Sequence, residues 1–186
     1  FAARAPELQG AAAALEWSGS WYAADVMVDP LGRENLPSAL ARRIRAQLER
    51  YRRIGHDVEV HAACYVPLRI ALFVCVLPDF LVAHVEAELR DRFSSGLRRD
   101  GTPGFFHPDR LKLGTPVFVS ALLAEAQSIA GVAHVEVTCL VRAEDPADRV
   151  PDGGVLHLAA REIAQVDNDP DHPDHGNIAF TLGGGR

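Results

Sequence analysis

The sequence has no long apolar run and no recognisable signal peptide. No stretch contains 18 or more consecutive apolar residues, which excludes a transmembrane helix. The N-terminus has neither a methionine nor the basic and then apolar order of a signal peptide. We therefore expect Phe1 to be an internal position and the 186 residues to be one part of a longer protein.

Positive charge is also in short supply. Lys and Arg number 19 against 25 Asp and Glu, which gives a formal net charge of −6. A protein whose main task is to neutralise nucleic-acid phosphates needs a basic surface, and so does a protein that binds anionic membranes through a polybasic segment. The charge balance argues against both classes, so we expect no nucleic-acid partner and no membrane insertion.

Cysteine is scarce as well, with three residues at Cys64, Cys75 and Cys139. Their spacing matches no metal-binding pattern, and each lies in an apolar, strand-like segment. The sequence therefore predicts buried, reduced thiols and a reducing compartment.

Signatures of common enzyme classes are missing. There is no Walker A loop, no G-x-G-x-x-G sequence for nucleotide phosphates, and no G-x-S-x-G turn for a serine nucleophile. The composition is that of an ordinary globular protein, with 48% hydrophobic and 24% charged residues. A chain of this length buries about 70% of the surface that it exposes when unfolded. We therefore predict a non-enzymatic protein with a substantial core and no cofactor.

Hydrophobic periodicity predicts an α+β fold with three helices. Apolar residues recur every three or four positions in three segments, and strand-like alternation fills most of the rest. The order β-α-β-β-α-α-β-β-β favours mostly antiparallel sheets with helices on one face. The three helical stripes are Leu40, Ile44, Leu48 and Tyr51; Leu81, Val85, Leu89 and Phe93; and Val119, Leu122, Leu123, Ala126 and Ile129.

The same pattern suggests how the chain divides. Residues 1–16 are rich in alanine and read as a linker or helix remnant, because alanine alone cannot define a packed face. A β-α-β-β subdomain follows at 17–78. An α-α-β subdomain occupies 79–186, with a long loop at 94–115 and short strands at its C-terminal end.

Two groups of residues in the first 53 positions are typical of protein contacts. The first helix carries six arginines outside its apolar stripe, which form either a solvated face or a docking face for an acidic partner. The segment from Trp17 to Trp21 places two tryptophans around a turn of small residues, which is typical of either a core or an interface anchor. The arginines are Arg42, Arg43, Arg45, Arg50, Arg52 and Arg53.

The loop at 94–115 contains a possible catalytic pair. His107 and Asp109 are the residue types of a general base and its orienting carboxylate, but no nucleophile motif accompanies them. The alternative, which we favour, is that Phe105 and Phe106 anchor the loop to the core while His107 begins a turn.

The segment 167–176 is rich in aspartate and histidine. Its alternating carboxylates resemble a calcium loop, but there is no Gly at the sixth position and no Glu at the twelfth. The histidines lack the i, i+4 spacing of a helical metal pair. We favour a solvated turn and keep a metal site as the alternative, with His172, His175, Asp167 and Asp169 as its ligands.

Several segments together resemble the C-terminal portion of baseplate J-like proteins, the family of baseplate assembly proteins that form wedges in contractile phage tails and contractile injection systems. The resemblance covers about residues 17–186 and depends on the joint order of the segments. They are Trp17-Ser-Gly-Ser-Trp21-Tyr22, Leu48 to Val60, Tyr65 to Ile70, Gly104 to Asp109, Gly114 to Phe118, Gly131 to Val137, and Glu162 to Pro170 leading to Leu182-Gly-Gly-Gly-Arg186.

The resemblance implies a structural role, since the family has no catalytic residues to transfer. It implies other wedge subunits and tail hub or sheath-proximal proteins as partners, in a sixfold hetero-oligomeric assembly. It also implies assembly in a bacterial cytoplasm and a final place within a phage tail-like particle or virion.

We predict the residues that contact such partners from charge and aromatic placement. They are Trp17, Trp21, Arg42, Arg45, Arg52, Phe105, Phe106 and His107. Two rival hypotheses stay open, namely a small metal-binding or metal-dependent module at 167–175 and a DNA-contacting tail component that uses the first helix.

Overall fold

Nine strands and three α-helices make up the regular structure of the described residues. The computed structural model describes residues 6–31 and 35–186. The elements are β1 (Leu8–Trp17), β2 (Tyr22–Pro30), α1 (Ser38–Glu49), β3 (His56–Ala62), β4 (Cys64–Val76), α2 (Val82–Arg92), β5 (Val117–Phe118), α3 (Val119–Gln127), β6 (Val132–Arg142), β7 (Val155–Leu156), β8 (Glu162–Gln165) and β9 (Asn177–Gly184). None of the described helices is both long and apolar enough to cross a membrane.

The predicted α+β class is confirmed, and the predicted elements occur in the structure in the predicted order. The structure adds β1 and the two-residue strand β5 to that order, and it has two strands, β7 and β8, where the prediction counted one. The sheets are mixed: β1 with β2, β4 with β6 and β5 with β7 are antiparallel, whereas β2 with β3 and β4 with β9 are parallel. The parallel pairs were not predicted, because strand direction depends on how the connecting segments cross over.

Strand β1 replaces the predicted linker or helix remnant over residues 8–16; residues 1–5 of that prediction lie outside the described part of the chain. β1 pairs antiparallel with β2 from Leu8 to Trp17. Alanine has a low strand propensity, so local preference gives little indication of this strand. The cross-strand ladder to β2 and the packing of Ala11 on the core supply the stabilisation instead.

The chain folds into two compact units. Unit 1 takes the described residues up to Tyr65 together with Lys112–Gly114 and Ala159–Ile163. Unit 2 comprises Val66–Leu111, Thr115–Leu158 and Ala164–Arg186. This division lies within β4 rather than at the predicted boundary near residue 78. Sequence pattern cannot show such a division, because two short segments from later in the chain, Lys112–Gly114 and Ala159–Ile163, belong to unit 1.

Unit 1 is a three-stranded sheet covered by one helix. The order is β1-β2-β3, and α1 makes the crossover that lets β2 and β3 run parallel. Ile44 of α1 packs on Val28 and Val58. Tyr51, predicted to complete the helical stripe, is 62% exposed because α1 ends at Glu49.

Ion pairs connect residues 159–163 to the strands of unit 1. Arg161 contacts Asp25 at 2.9 Å and also pairs with Glu16 of β1. The backbone N–H of Cys64 donates to the Arg161 carbonyl at 3.0 Å. These contacts hold the segment to strands that are far away in the sequence.

Unit 2 is built around β4. Its alternate residues from Val66 to Val76 are buried, as expected for a strand with one face on the core, and β6, β8 and β9 all pair with it. Val85, Leu89 and Phe93 of the second predicted stripe are buried, whereas Leu81 is exposed because it precedes α2. Of the three free cysteines Cys139 is buried, Cys75 is half-buried and Cys64 is exposed at the first position of β4, so the predicted burial was wrong for Cys64.

Arg69 of β4 holds the loop that follows β6. Its guanidinium donates to the Asp145 carbonyl at 2.8 Å and to the Asp148 carboxylate at 3.0 Å. The same Asp148 oxygen lies 3.6 Å from the Cys139 sulfur. Burial raises the pKa of the Cys139 thiol, so the thiol keeps its proton beside this carboxylate.

We expect Arg69→Met to destabilise unit 2 measurably, because the variant loses the hydrogen bonds of Arg69 to the Asp145 carbonyl and to the Asp148 carboxylate. Denaturant unfolding measures the loss, and hydrogen exchange should show faster opening at residues 143–149. Arg149→Met is the matched control: Arg149 is 68% exposed, and its ion pair with Asp145 contributes at most about 1 kcal/mol. Equal effects of the two substitutions would contradict the role given to Arg69.

Candidate functional site

Exposed aromatic and aliphatic side chains gather at one end of unit 1. β1 ends there, and β2 and β3 begin there. We define the aromatic tip as Trp17, Trp21, Tyr22, Tyr51 and Ile54. Their exposed fractions are 60%, 51%, 49%, 62% and 102%. A concentration of large exposed side chains is typical of a contact site, because single exposed apolar residues are ordinary but grouped ones are not.

Strand register brings the tip together. Trp17 is the cross-strand partner of Tyr22, and Tyr22 is in turn the partner of His56 in the parallel ladder. The Trp17 and Tyr22 rings meet edge to face at 5.2 Å between centroids, and Tyr22 stacks with His56 at 6.3 Å. The rings therefore support one another although each is about half exposed.

A charged network fixes the second tryptophan. The Trp21 indole N–H donates to one oxygen of Asp57 at 2.7 Å, while Arg52 contacts the other oxygen at 3.3 Å. Arg52 also pairs with Glu49 at 2.9 Å. Arg50 and Arg53 beside it are exposed and make no ion pair with any residue in the described ranges. The tip thus carries exposed aromatic side chains, with the exposed arginines Arg50 and Arg53 beside them.

The structure brings together three of the predicted contact residues, Trp17, Trp21 and Arg52. Arg42 and Arg45 are exposed on α1, and Arg42 lies about two helical turns before the end of the helix. Arg45 pairs only loosely with Glu49, at 3.9 Å. Sequence reasoning missed Tyr51 and Ile54, which follow the helix; their apolar character in a basic segment was the available signal.

The phenylalanines of the 94–115 loop belong to the core of unit 2. Phe106 is 1% exposed and Phe105 is partly buried against the same cluster. Phe106 lies 4.9 Å from Phe105 and 6.2 Å from Phe93 between ring centroids. Phe106 is therefore not available as a contact residue in this conformation, and the alternative of an anchored loop describes the structure better.

His107 caps a short 3-10 turn. Its Nδ1 accepts a hydrogen bond from the Asp109 backbone N–H at 3.1 Å and so begins the 3-10 turn Pro108–Arg110. The Asp109 carboxylate stays 3.8 Å away, which is too far for a hydrogen bond. The pair therefore does not have the geometry of a general base with its orienting carboxylate.

The acidic loop brings together two histidines and one carboxylate. The ligand atoms of His172, Asp174 and His175 all lie within 4.8 Å of one another. Asp167, predicted as a ligand, instead contacts the Nδ1 of His175 at 2.9 Å. Asp169, the other predicted carboxylate, accepts from the Asp171 backbone N–H at 2.9 Å and closes a turn.

Local backbone geometry explains why the two histidines lie side by side. Residues Pro173–His175 form a 3-10 turn, in which side chains three positions apart lie above one another. His172 and His175 therefore stack, with 5.0 Å between ring centroids and 15° between planes. The rule of i, i+4 spacing applies to α-helices and does not cover this arrangement.

Comparisons with known proteins find a family-model match over the first third of the chain and a similar fold. Residues 1–61 match the family model described as the Baseplate J-like central domain. No curated protein matches the chain. Among solved structures, a chain of the cryo-EM structure of the anti-feeding prophage (AFP) baseplate, 6-fold symmetrised, is similar with a TM-score of 0.54 and 15% identity. The match covers 88% of this chain and 34% of that one, so the present sequence spans about a third of its length.

The matched family segment contains the whole aromatic tip, whereas the loops at 104–109 and 167–176 lie outside it. At 15% identity the likeness to the AFP baseplate chain shows the fold alone. The placement of the chain in the C-terminal portion of its family stays a prediction, since the family match concerns a central domain. The resemblance inferred from the sequence is nevertheless confirmed over residues 1–61, which are similar to the Baseplate J-like central domain.

Proposed function

We propose that the protein is a non-enzymatic structural component of a contractile injection system or phage-tail-like baseplate, where it forms part of a wedge. The observation that carries the proposal is an exposed aromatic tip inside the segment that matches the Baseplate J-like central domain. The fold likeness to a chain of a baseplate that was solved with sixfold symmetrisation supports it. Its neighbours would be other wedge subunits and proteins near the tail hub and sheath, in a sixfold assembly formed in the bacterial cytoplasm.

The chemistry of the tip suits a contact between subunits. Tryptophan, tyrosine and arginine are the residues that most often dominate interface energies. Because the Trp21–Asp57 hydrogen bond already orders one ring, less side-chain freedom is lost on binding. Arg50 and Arg53 at the edge favour an acidic rim on the partner. We infer that the partner surface is an apolar pocket bordered by Asp or Glu on a neighbouring baseplate subunit.

The first test removes the two tryptophans from the full-length protein in its native particle. We expect Trp17→Ala with Trp21→Ala to reduce incorporation into baseplates at least tenfold, since a single interface hot spot contributes about 2–4 kcal/mol. Quantitative electron microscopy of assembled particles and sedimentation of free subunits measure the effect. Leu97→Ala, an exposed apolar residue of unit 2, is the control and should assemble normally.

A charge test separates the tip from the face of α1. Arg50→Glu with Arg53→Glu should weaken incorporation, because it reverses the charge that an acidic rim would face. Arg42→Glu reverses another exposed arginine of the same unit, two helical turns before the end of α1, and it should assemble as the unmodified protein does. If Arg42→Glu alone blocks assembly, or if the tryptophan variant assembles normally while folded, the tip is not the contact surface.

A further inference from the structure

We propose that β1 pairs with β1 of a second copy of this chain, so that two three-stranded sheets join into one sheet of six strands. Strand β1 lies at one edge of the unit 1 sheet, whose order within the described residues is β1-β2-β3. An edge strand presents unpaired N–H and C=O groups, to which another strand can be added. The inference does not depend on the baseplate role, because it concerns two copies of the free protein.

The register of the β1–β2 ladder shows which backbone groups of β1 point outward. The Ser18 N–H donates to the Trp21 carbonyl at 2.8 Å, and the ladder continues without a shift from Trp17 back to Gly10. Bonded and non-bonded pairs alternate in an antiparallel ladder, so the even-numbered residues of β1 bond to β2. The odd-numbered residues direct their N–H and C=O groups away from β2, and within residues 6–31 and 35–186 these groups have no backbone partner. They belong to Ala11, Ala13, Leu15 and Trp17.

Strand β1 lacks the features that usually keep an edge strand from pairing, which are charged side chains, proline and bulges along the edge. Its first eight residues contain no charge and no proline, and its one shift in register lies near its start. Its single charged residue, Glu16, is paired with Arg161. By contrast β3, at the opposite edge of the same sheet, carries Asp57 and Glu59. The contrast favours β1 as the edge at which another strand is added.

The outward groups of β1 are complementary to those of a second β1. In an antiparallel register centred on Ala14, Ala13 lies opposite Leu15 of the second copy and Ala11 lies opposite Trp17. The four N–H and four C=O groups that each copy directs outward then form eight hydrogen bonds around a twofold axis. This register satisfies every outward group from position 11 to position 17.

The side chains also fit this register. Each large side chain faces an alanine, and Glu16 faces Ala12, so that no charge lies opposite a like charge. Leu15 and Trp17, which are 63% and 60% exposed, would cover apolar surface of the second copy. Eight hydrogen bonds are typical of an interface of about 800–1,600 Å², and specific complexes bury about 1,200–2,000 Å². We therefore expect a reversible dimer with a dissociation constant in the micromolar range.

A cysteine cross-link tests the register in the full-length protein. Ala14→Cys places two thiols at the twofold axis, in a non-bonded pair whose Cα atoms lie about 4.5 Å apart, within the range for a disulfide. We expect mild oxidation to give a covalent dimer. Ala12→Cys is the matched control, because residue 12 lies on the same face of β1 and is also half-buried, but its two copies are roughly 14 Å apart in this register. Both variants carry Cys64→Ser, since Cys64 is exposed.

A proline substitution tests the hydrogen bonds. Ala13→Pro removes an N–H that points away from β2, and proline is tolerated at such positions of an edge strand, so thermal unfolding of the monomer should change little. We expect dimerisation to weaken at least about tenfold in sedimentation equilibrium, because two symmetry-related hydrogen bonds are lost. Ala13→Ser keeps the N–H and should dimerise as the unmodified protein does.

Three results would overturn the proposal. The first is an unmodified protein that stays monomeric at about 100 µM, a concentration that favours any dimer of micromolar affinity. The second is a cross-link that forms equally well in Ala12→Cys, and the third is a dimer that Ala13→Pro leaves intact. Since Ala13→Pro keeps both tryptophans of the aromatic tip, loss of the dimer with normal incorporation into baseplates would separate this edge from the tip.

Discussion

Replacing Phe106 by alanine is expected to destabilise unit 2 by about 3–5 kcal/mol. The ring is 1% exposed and lies within a cluster formed with Phe93 and Phe105, which in turn adjoins Phe180 through Phe93. Removing it forfeits the burial of the ring and leaves a cavity that the surrounding β4 and α2 cannot fill. A loss of this size is a large part of the 5–15 kcal/mol that stabilises a typical domain.

Denaturant unfolding of the free protein measures this effect, with fluorescence and circular dichroism as parallel probes. Phe118→Ala is the matched control, because the same residue type is 43% exposed there and should cost little. The variant also decides between the two roles considered for the 94–115 loop. If Phe106→Ala blocks baseplate assembly but leaves the unfolding midpoint unchanged, Phe106 is a contact residue and its buried position is not the functional one.

Replacing Gly176 by alanine should cost about 2–6 kcal/mol of stability in unit 2. The residue has φ 84° and ψ 160°, a combination that only glycine adopts readily, which accounts for about 1–3 kcal/mol. An added Cβ would lie 2.6 Å from the carbonyl oxygens of Gln165 and Leu68. These are backbone atoms of neighbouring strands, so relief of the clash requires strand movement and adds about 1–3 kcal/mol.

Gly153→Ala is the control that isolates the clash. Gly153 also has a positive φ, of 73°, but no atom lies within 4 Å of the position that its Cβ would take. We expect a loss of about 1–2 kcal/mol from backbone strain alone. Thermal unfolding compares the two variants. Equal losses would show that β4 and β8 accommodate the methyl group and that strain, rather than close approach, requires glycine at position 176.

Much of unit 2 could be predicted from the sequence because its strongest elements are locally periodic. The four-residue spacing of Val85, Leu89 and Phe93 predicted a buried face that the structure confirms. Such patterns are informative because one residue in two, or one in three to four, must face the core whatever the partner is. The Ala-rich β1 has no such pattern, since its side chains are too small to mark a face.

The candidate site was only partly predictable, because local sequence does not show whether an aromatic side chain is buried or exposed. Residue types indicated Trp17 and Trp21 as anchors, but their alternative as core residues stayed open until the register of β1, β2 and β3 placed them at one exposed end. Phe106 shows the opposite outcome, since an aromatic residue in a polar loop proved to be buried. Aromatic side chains fit both environments, so only the surrounding packing decides which one they occupy.

The sequence by itself determined the α+β class, the resemblance to baseplate J-like proteins, the helical stripes and the segments in which aromatic, basic and acidic residues concentrate. These properties follow from composition and from local periodicity. The tertiary structure alone decided the parallel pairing of β2 with β3, the division within β4, the grouping of the tip, and the choice of Asp174 over Asp169 beside the histidines. Each of these features depends on the direction of a crossover connection or on the geometry of a turn. Crossovers and turns bring together residues that are distant in the sequence, and the local sequence around such residues does not indicate the contact.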